Sequence, residues 1–312
     1  MKKIGVIGIN QGNGHPYSMS AMFNGYDPEA LDQFCPFGLI KEYLPRDHRN
    51  EFIINDAKVT HIWTQSQKES VNISKVSKIP NIVSDFTDLI GKVDAVIIAR
   101  DDIENHLKFI IPFLEEKVPL FVDKQLVKTQ SELLKLTNLI DENQLLFSAS
   151  PMRYSRLLED FKYNNTNNYF KSIHGVSRVN WIRYAHHLLE ATCSIYGYDI
   201  EFVQSLNSQK DHDIIQIRYN SGLNIILEFI KNISLPIQLK FYSEDKPPVS
   251  LDFGDFFYGF HKMMKTFSGM VNSGIMPVKI DEILSISKIV IAGQMSIENN
   301  GQKISPKTLK SY

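Results

Sequence analysis

Residues 94–126, DAVIIARDDIENHLKFIIPFLEEKVPLFVDKQL, constrain the fold more than any other stretch. Positions 94–100 are a short apolar run of the kind a parallel strand buried on both faces requires, and the run ends in charge. Across 104–116 the apolar residues Leu107, Ile110, Ile111 and Leu114 recur at helical spacing, and 118–122 returns to buried-strand composition. Strand, helix and strand make one βαβ unit. Ligands of open parallel sheets sit beyond the carboxyl ends of the strands, so Arg100, Asp101 and Asp102 should face the same crevice as Asp123, Lys124 and Gln125. Lys124 is the foremost candidate for chemistry.

With 312 residues, 43% hydrophobic and 22% charged, the chain can build two domains around a sizeable core. A net charge of −1 gives no electrostatic footprint for nucleic acid or an anionic membrane. No uninterrupted apolar stretch approaches bilayer length, and the polar residues from Asn10 to Asn13 interrupt the N-terminal run too early for a signal peptide. Cys35 and Cys193 are too few for a disulfide framework and lack metal-ligand spacing. No metal site is expected, and a reducing cytoplasm fits best.

Residues 3–8 form an apolar strand that runs into INQGNGHPYS. Glycine and asparagine accept the positive φ of a tight turn, and Pro16 suits a first helical turn. The turn therefore delivers a helix N-terminus whose N–H groups favour a phosphate. Gly8, Gly12 and Gly14 follow a G-x3-G-x-G spacing, whereas the dinucleotide fingerprint would require glycine at Asn10 and Asn13. Pyrophosphate binding and a plain strand-to-helix turn both stay open at this point. Residues 24–58, punctuated by Pro28, Pro36 and Pro45, show no clear period and exceed a usual connection; they read as a partly ordered surface insertion, with a substrate-side flap or an interface element as alternatives. A strand at 58–64 and a helix at 68–77 follow. Past that strand, where an acid would hold the adenosine ribose of NAD, stand Thr64, Gln65 and Ser66, with Lys68 nearby, so NAD and NADP are both open.

A strand at 81–83, the βαβ unit, a helix at 131–140 and a strand at 144–148 complete an alternation that argues for an α/β, doubly wound parallel sheet over residues 1–150. The pattern then changes. A helix rich in His and Leu precedes strand-like runs at 202–206, 214–219, 223–230 and 237–242, with the hairpin signal Asn220-Ser221-Gly222 between two of them. Residues 151–312 thus read as an α+β domain with an open, mainly antiparallel sheet. The aromatic and methionine residues of FFYGFHKMMKTFSGM recur at helical spacing and read as packing, with His261 structural.

The order and spacing of these motifs resemble the Gfo/Idh/MocA family of oxidoreductases over nearly the whole chain. Ala99-Arg100-Asp101-Asp102 with Asn105 and His106 resembles the family's T-P-x-x-x-H loop, and Asp123-Lys124-Gln125 its E-K-P. Arg153-Tyr154 resembles the R-F or R-Y that opens the second domain. His187 and Glu190 resemble the H-x-x-D of the catalytic helix, and residues 277–304 the closing helix. Three positions depart from the pattern: Asn10 replaces a fingerprint glycine, Gln125 the proline, and Arg183 an aspartate found in many members.

The resemblance implies a Rossmann domain followed by a substrate domain, with NAD or NADP as cofactor. Gly8, Asn10, Gly12, Asn13, Gly14, His15, Thr64, Gln65, Ala99, Arg100, Asp101, His106, Asp123 and Lys124 would contact that cofactor. It implies Lys124 and His187 as catalytic, with Arg153, Tyr154, Arg183 and Glu190 facing a sugar, sugar phosphate or nucleotide sugar. Adjacent residues on a helix point about 100° apart, so His186 and His187 cannot share one role; the register with Glu190 selects His187. A homodimer or homotetramer through the C-terminal sheet is implied too. The resemblance also leaves open a redox-neutral lyase or glycosidase that recycles bound NAD, and the three departures leave open a catalytically silent dinucleotide sensor.

Overall fold

Apolar runs without polar alternation become parallel strands when both their faces are covered. In the computed structural model, which describes residues 1–48, 52–141, 143–165, 170–234 and 237–309, this holds for the first sheet. Its strands are β1 (Lys2–Ile7), β2 (Ala57–Trp63), β3 (Asn81–Ile82), β4 (Ala95–Ile98), β5 (Leu120–Val122) and β6 (Leu146–Phe147), in the order β3-β2-β1-β4-β5-β6. Every pairing is parallel. All of β4 and β5 is inaccessible to solvent, as are Ile4, Val6 and Ile7 of β1. The order reverses direction between β1 and β4, and ligands of such sheets bind at that switch.

The helices of this unit are α1 (His15–Asn24), α2 (Pro28–Phe34), α3 (Gly38–Asp47), α4 (Gln67–Val76) and α5 (His106–Glu115). The segment expected as a partly ordered surface insertion at 24–58 contains α2 and α3; its residues 49–51 lie outside the described residues. Proline concealed the helices. Pro28 stands in the first turn of α2 behind the Asp27 cap, where no N–H is missed, and Pro45 stands in the last turn of α3. Leu31, Cys35, Ile40, Tyr43 and Leu44 are buried, so this segment packs rather than floats.

Two compact units, which interleave along the chain, stand beside the expected contiguous division at residue 150. One compact unit comprises Met1–Val127, Asn138–Ala149 and Phe260–Ile280; the other comprises Lys128–Thr137, Ser150–Gly259 and Asp281–Tyr312. Side-chain contacts explain the return of residues 260–280 to the first unit. Phe267 meets Phe121 of β5 at a ring distance of 5.9 Å, Phe260 meets His15 at 5.0 Å, and Ser268 Oγ donates to Asp56 Oδ1 at 2.8 Å.

The second unit contains α6 (Gln130–Thr137), α7 (Arg156–Asn164), β7 (Ser172–Arg178), α8 (Trp181–Tyr196), β8 (Ile200–Gln209), β9 (His212–Tyr219), β10 (Asn224–Ile230), β11 (Ile237–Tyr242) and β12 (Val249–Phe253). Helix α9 (Phe256–Ser273) runs on into the first unit, and α10 (Ile280–Glu298) returns. The sheet order is β12-β11-β7-β10-β9-β8, antiparallel except for β7 beside β10. Central strand β7, SIHGVSR, carries too little apolar content to stand out in the sequence; Gly175 at its centre leaves room for Leu227, Leu239 and Leu188. Buried and half-exposed residues alternate along β9 and β10, so one face is core and the other is accessible. No helix among the described residues is long and apolar enough to cross a membrane.

Candidate functional site

In the first unit, the carboxyl ends of β1, β4 and β5 carry a dense polar network. The β1–α1 turn needs its glycines for two different reasons. A Cβ at Gly8 would lie 2.3 Å from Pro16 Cγ, and one at Gly14 would lie 2.4 Å from Ile40 Cδ1, so close packing requires both. Gly12 instead adopts φ +84° in open space. Gly14 stands at the N-cap of α1 and brings no side-chain cap, although His15 N–H donates to Asn13 Oδ1 at 2.8 Å. An open glycine turn leading into a helix start without a side-chain cap suits an anionic group.

Asp123, 1% exposed, is the hub of β5. Its Oδ2 meets His15 Nδ1 at 2.5 Å and accepts from Asn13 Nδ2 at 3.0 Å, while Oδ1 accepts the Lys124 N–H at 2.9 Å. Burial alone would raise its carboxyl, but His15, Lys124 and Asn13 outweigh burial and hold it well below the usual carboxylate range. Lys124, 7% exposed, has Nζ 3.5 Å from Asp101 Oδ2. Asp101 in turn exchanges two hydrogen bonds with Asn10: Asn10 Nδ2 donates to Oδ1 at 2.6 Å, and the Asp101 N–H donates to Asn10 Oδ1 at 3.0 Å. The Lys124–Gln125 and Gly8–Ile9 peptide bonds are cis.

Four of the side chains expected at the cofactor have polar atoms that bond within the protein. Arg100 forms a two-point pair with Asp102 at 2.8 and 2.6 Å, donates to Ile9 O and Gln65 Oε1 at 2.8 Å each, and lies over the Phe109 ring. Gln65 closes the same knot by donating to Ile9 O. The Thr64 hydroxyl donates to Ser66 O at 2.6 Å and lies 2.9 Å from Ser70 Oγ. His106 has no exposed surface, and its ring nitrogens sit 2.7 Å from Gln125 O and 2.9 Å from Arg100 O, tying the loops after β4 and β5 together. Ala99 is fully buried, its N–H bonded to Ile7 O at 2.8 Å, and offers only backbone to a ligand.

In the second unit α8 carries the expected histidines. Asn180 caps it, accepting from Arg183 N at 3.2 Å. His187, 7% exposed, has Nδ1 2.7 Å from Ser150 Oγ and its ring edge-on to Tyr184. Ser150 was missed from sequence, since nothing local marks a serine that meets a residue 37 positions away. Glu190 aligns with His186 rather than His187: His186 Nε2 stands 3.3 Å from Glu190 Oε1, one helical turn away.

Arg153 Nη1 donates to Glu190 Oε2 at 2.9 Å and to the Tyr198 hydroxyl at 3.3 Å, and Nη2 lies 3.4 Å from Glu282 Oε2. Burial would raise Glu190, yet His186 and Arg153 hold it below its ordinary range. Arg153 and Glu190, both expected at the substrate, thus form an ion pair with each other. Tyr154 is half-buried in the turn Pro151–Tyr154, and Arg183 is exposed at the start of α8.

Residues 37–150 match the model of an oxidoreductase family with an NAD-binding Rossmann fold. The sequence matches no curated protein. The whole chain is similar in fold to a probable dehydrogenase from Thermotoga maritima, with 16% identity, TM-score 0.72 and coverage of 99% of this chain and 100% of that one. Myo-inositol 2-dehydrogenase from Lactobacillus plantarum gives 14% identity, TM-score 0.72 and coverage of 97% and 99%. Scyllo-inositol dehydrogenase from Lactobacillus casei, solved with NAD(H) and scyllo-inositol, gives 12% identity, TM-score 0.72 and coverage of 98% and 99%. At these identities the structural likenesses speak for the fold.

Proposed function

We propose, from the premise that residues 37–150 belong to the Gfo/Idh/MocA oxidoreductases, that this protein oxidises a CH–OH group of a sugar or polyol, or reduces the matching carbonyl, with NAD or NADP. The observation that carries the proposal is Lys124: a nearly buried lysine at the carboxyl end of β5, joined through Asp101 and Asn10 to the glycine turn that opens α1. Strand ends at a topological switch are where such sheets bind dinucleotides.

NAD, when bound, supplies the hydride acceptor or donor. The Gly8–Gly14 turn and the start of α1 would hold the pyrophosphate. Lys124 would contact the nicotinamide ribose and the substrate oxygen, where its positive charge would favour developing alkoxide. His187, oriented by Ser150 and Tyr184, takes the hydroxyl proton during oxidation and returns it during reduction. The inositol dehydrogenases among the structural neighbours favour a polyol or sugar as substrate.

The test uses purified protein with NAD or NADP and a panel of inositols, hexoses, sugar phosphates and nucleotide sugars, reading nicotinamide absorbance. Substrate-dependent change in cofactor redox state is the expected result. Cofactor binding without any redox change across the panel overturns the proposal.

A further inference from the structure

We propose that Asp101 is a positioning residue for Lys124, and that Asn10 links this pair to the phosphate-binding turn, so that the turn and the lysine act as one mechanical unit. This rests on the oxidoreductase assignment for its kinetic meaning but not for its geometry. Asp101 is fixed at two points, one on its carboxylate and one on its backbone. Oδ1 accepts from Asn10 Nδ2 at 2.6 Å while its own backbone N–H returns a bond to Asn10 Oδ1 at 3.0 Å. This reciprocal pair directs Oδ2 toward Lys124 Nζ at 3.5 Å.

The other strand-end carboxylate does a different job. Asp123 uses Oδ2 for His15 and Asn13 and Oδ1 for the Lys124 backbone N–H, so it secures the main chain of Lys124 and the start of α1. The charged groups of this strand end divide accordingly. Asp101 faces the lysine from the loop after β4, Asp123 from the end of β5, and His15 approaches from α1 as the partner of Asp123. Arg100 and Asp102 neutralise each other.

Two physical consequences follow. A carboxylate near an ammonium favours its charged form, so the Asp101 contact biases Lys124 toward a cationic donor. And because Asn10 stands where the fingerprint has a glycine, any displacement of the turn by a bound phosphate pulls on Asp101. The departure at Asn10 thereby becomes a coupling element instead of a defect.

The experiment measures Lys124 directly in the cofactor-free protein, by competitive acetylation with acetic anhydride against pH and mass spectrometry of the Lys124 peptide. Asp101→Asn keeps the shape and removes the charge. Lys124 labelling near neutral pH is expected to rise about tenfold, the equivalent of one pKa unit. In the active enzyme kcat should fall about tenfold while the cofactor Kd changes less than about threefold. Asn10→Gly frees Asp101 without touching either charge and should raise labelling by a smaller factor of about three. If Asp101→Asn does not fold, the Asn10→Gly labelling decides.

Unchanged labelling in the folded variants overturns the proposal, even where polyol turnover is intact. Raised labelling with no turnover of any sugar by the unaltered protein upholds the brace and defeats the oxidoreductase assignment.

Discussion

His15, the first residue of α1, and Asp123, the residue after β5, meet through Nδ1 and Oδ2 at 2.5 Å. The contact joins a helix start to the end of a fully buried strand. Asp123 is held below its ordinary range despite its burial, chiefly by His15 and Lys124. A carboxylate depressed in the folded state stabilises the fold fully above the unfolded value, and that stability is lost as pH falls from there toward the folded value. Asp123→Asn should therefore cost on the order of 2 kcal/mol at neutral pH, with the deficit shrinking below about pH 4. Urea titrations of both proteins at neutral and acid pH check this; a deficit that does not change with pH contradicts it.

Lys124→Ala and His187→Ala should each lower turnover about a hundredfold or more, the scale of a lost proton-handling or charge-stabilising group. Cofactor affinity of His187→Ala, measured by calorimetry, should stay within about threefold, because the glycine turn, α1 and Lys124 are untouched. Near-normal rates in both variants would remove these residues from the chemistry.

Arg153 and Glu190 have side chains 15% and 3% exposed, respectively, and are 2.9 Å apart. Removing one partner of a buried pair strands the other charge, so Arg153→Leu should destabilise by about 3–5 kcal/mol. The double change Arg153→Leu with Glu190→Leu should recover part of that loss. Denaturant midpoints of the single and double variants measure the recovery; a double variant worse than the single one would show that Glu190 stabilises through other contacts, His186 first among them.

The α2–α3 segment supports the cofactor turn directly, since Phe37 and Ile40 fill the space beside Gly14 where a Cβ would sit at 2.6 and 2.4 Å. Phe37→Ala should weaken cofactor binding by about fivefold, the equivalent of about 1 kcal/mol of lost packing. Shortening the whole segment should change cofactor affinity or subunit mass before it changes substrate preference. Altered preference with affinity and mass unchanged would assign the segment to the substrate instead.

What the sequence determined by itself is the local part. The short apolar runs of β4 and β5 and the apolar end of β1 fit buried strands, the helical spacing after Asn105 fits an amphipathic crossover, and a lysine just past β5 fits the ligand-binding edge of a parallel sheet. These follow because burial imposes a period on neighbouring residues. The tertiary structure alone decided what those periods do not carry. Strand β7 gained its central place from partners on both sides and not from its own composition. Asn10 found Asp101 from 91 positions away, and Arg153 found Glu190 from 37, turning single charged residues into braces. Residues 260–280 returned to the first unit because Phe260 and Phe267 have aromatic partners there. Hydrogen-bond and ion-pair choices among distant polar groups are made only when the packed backbone brings particular atoms within reach, and no spacing in the chain records them.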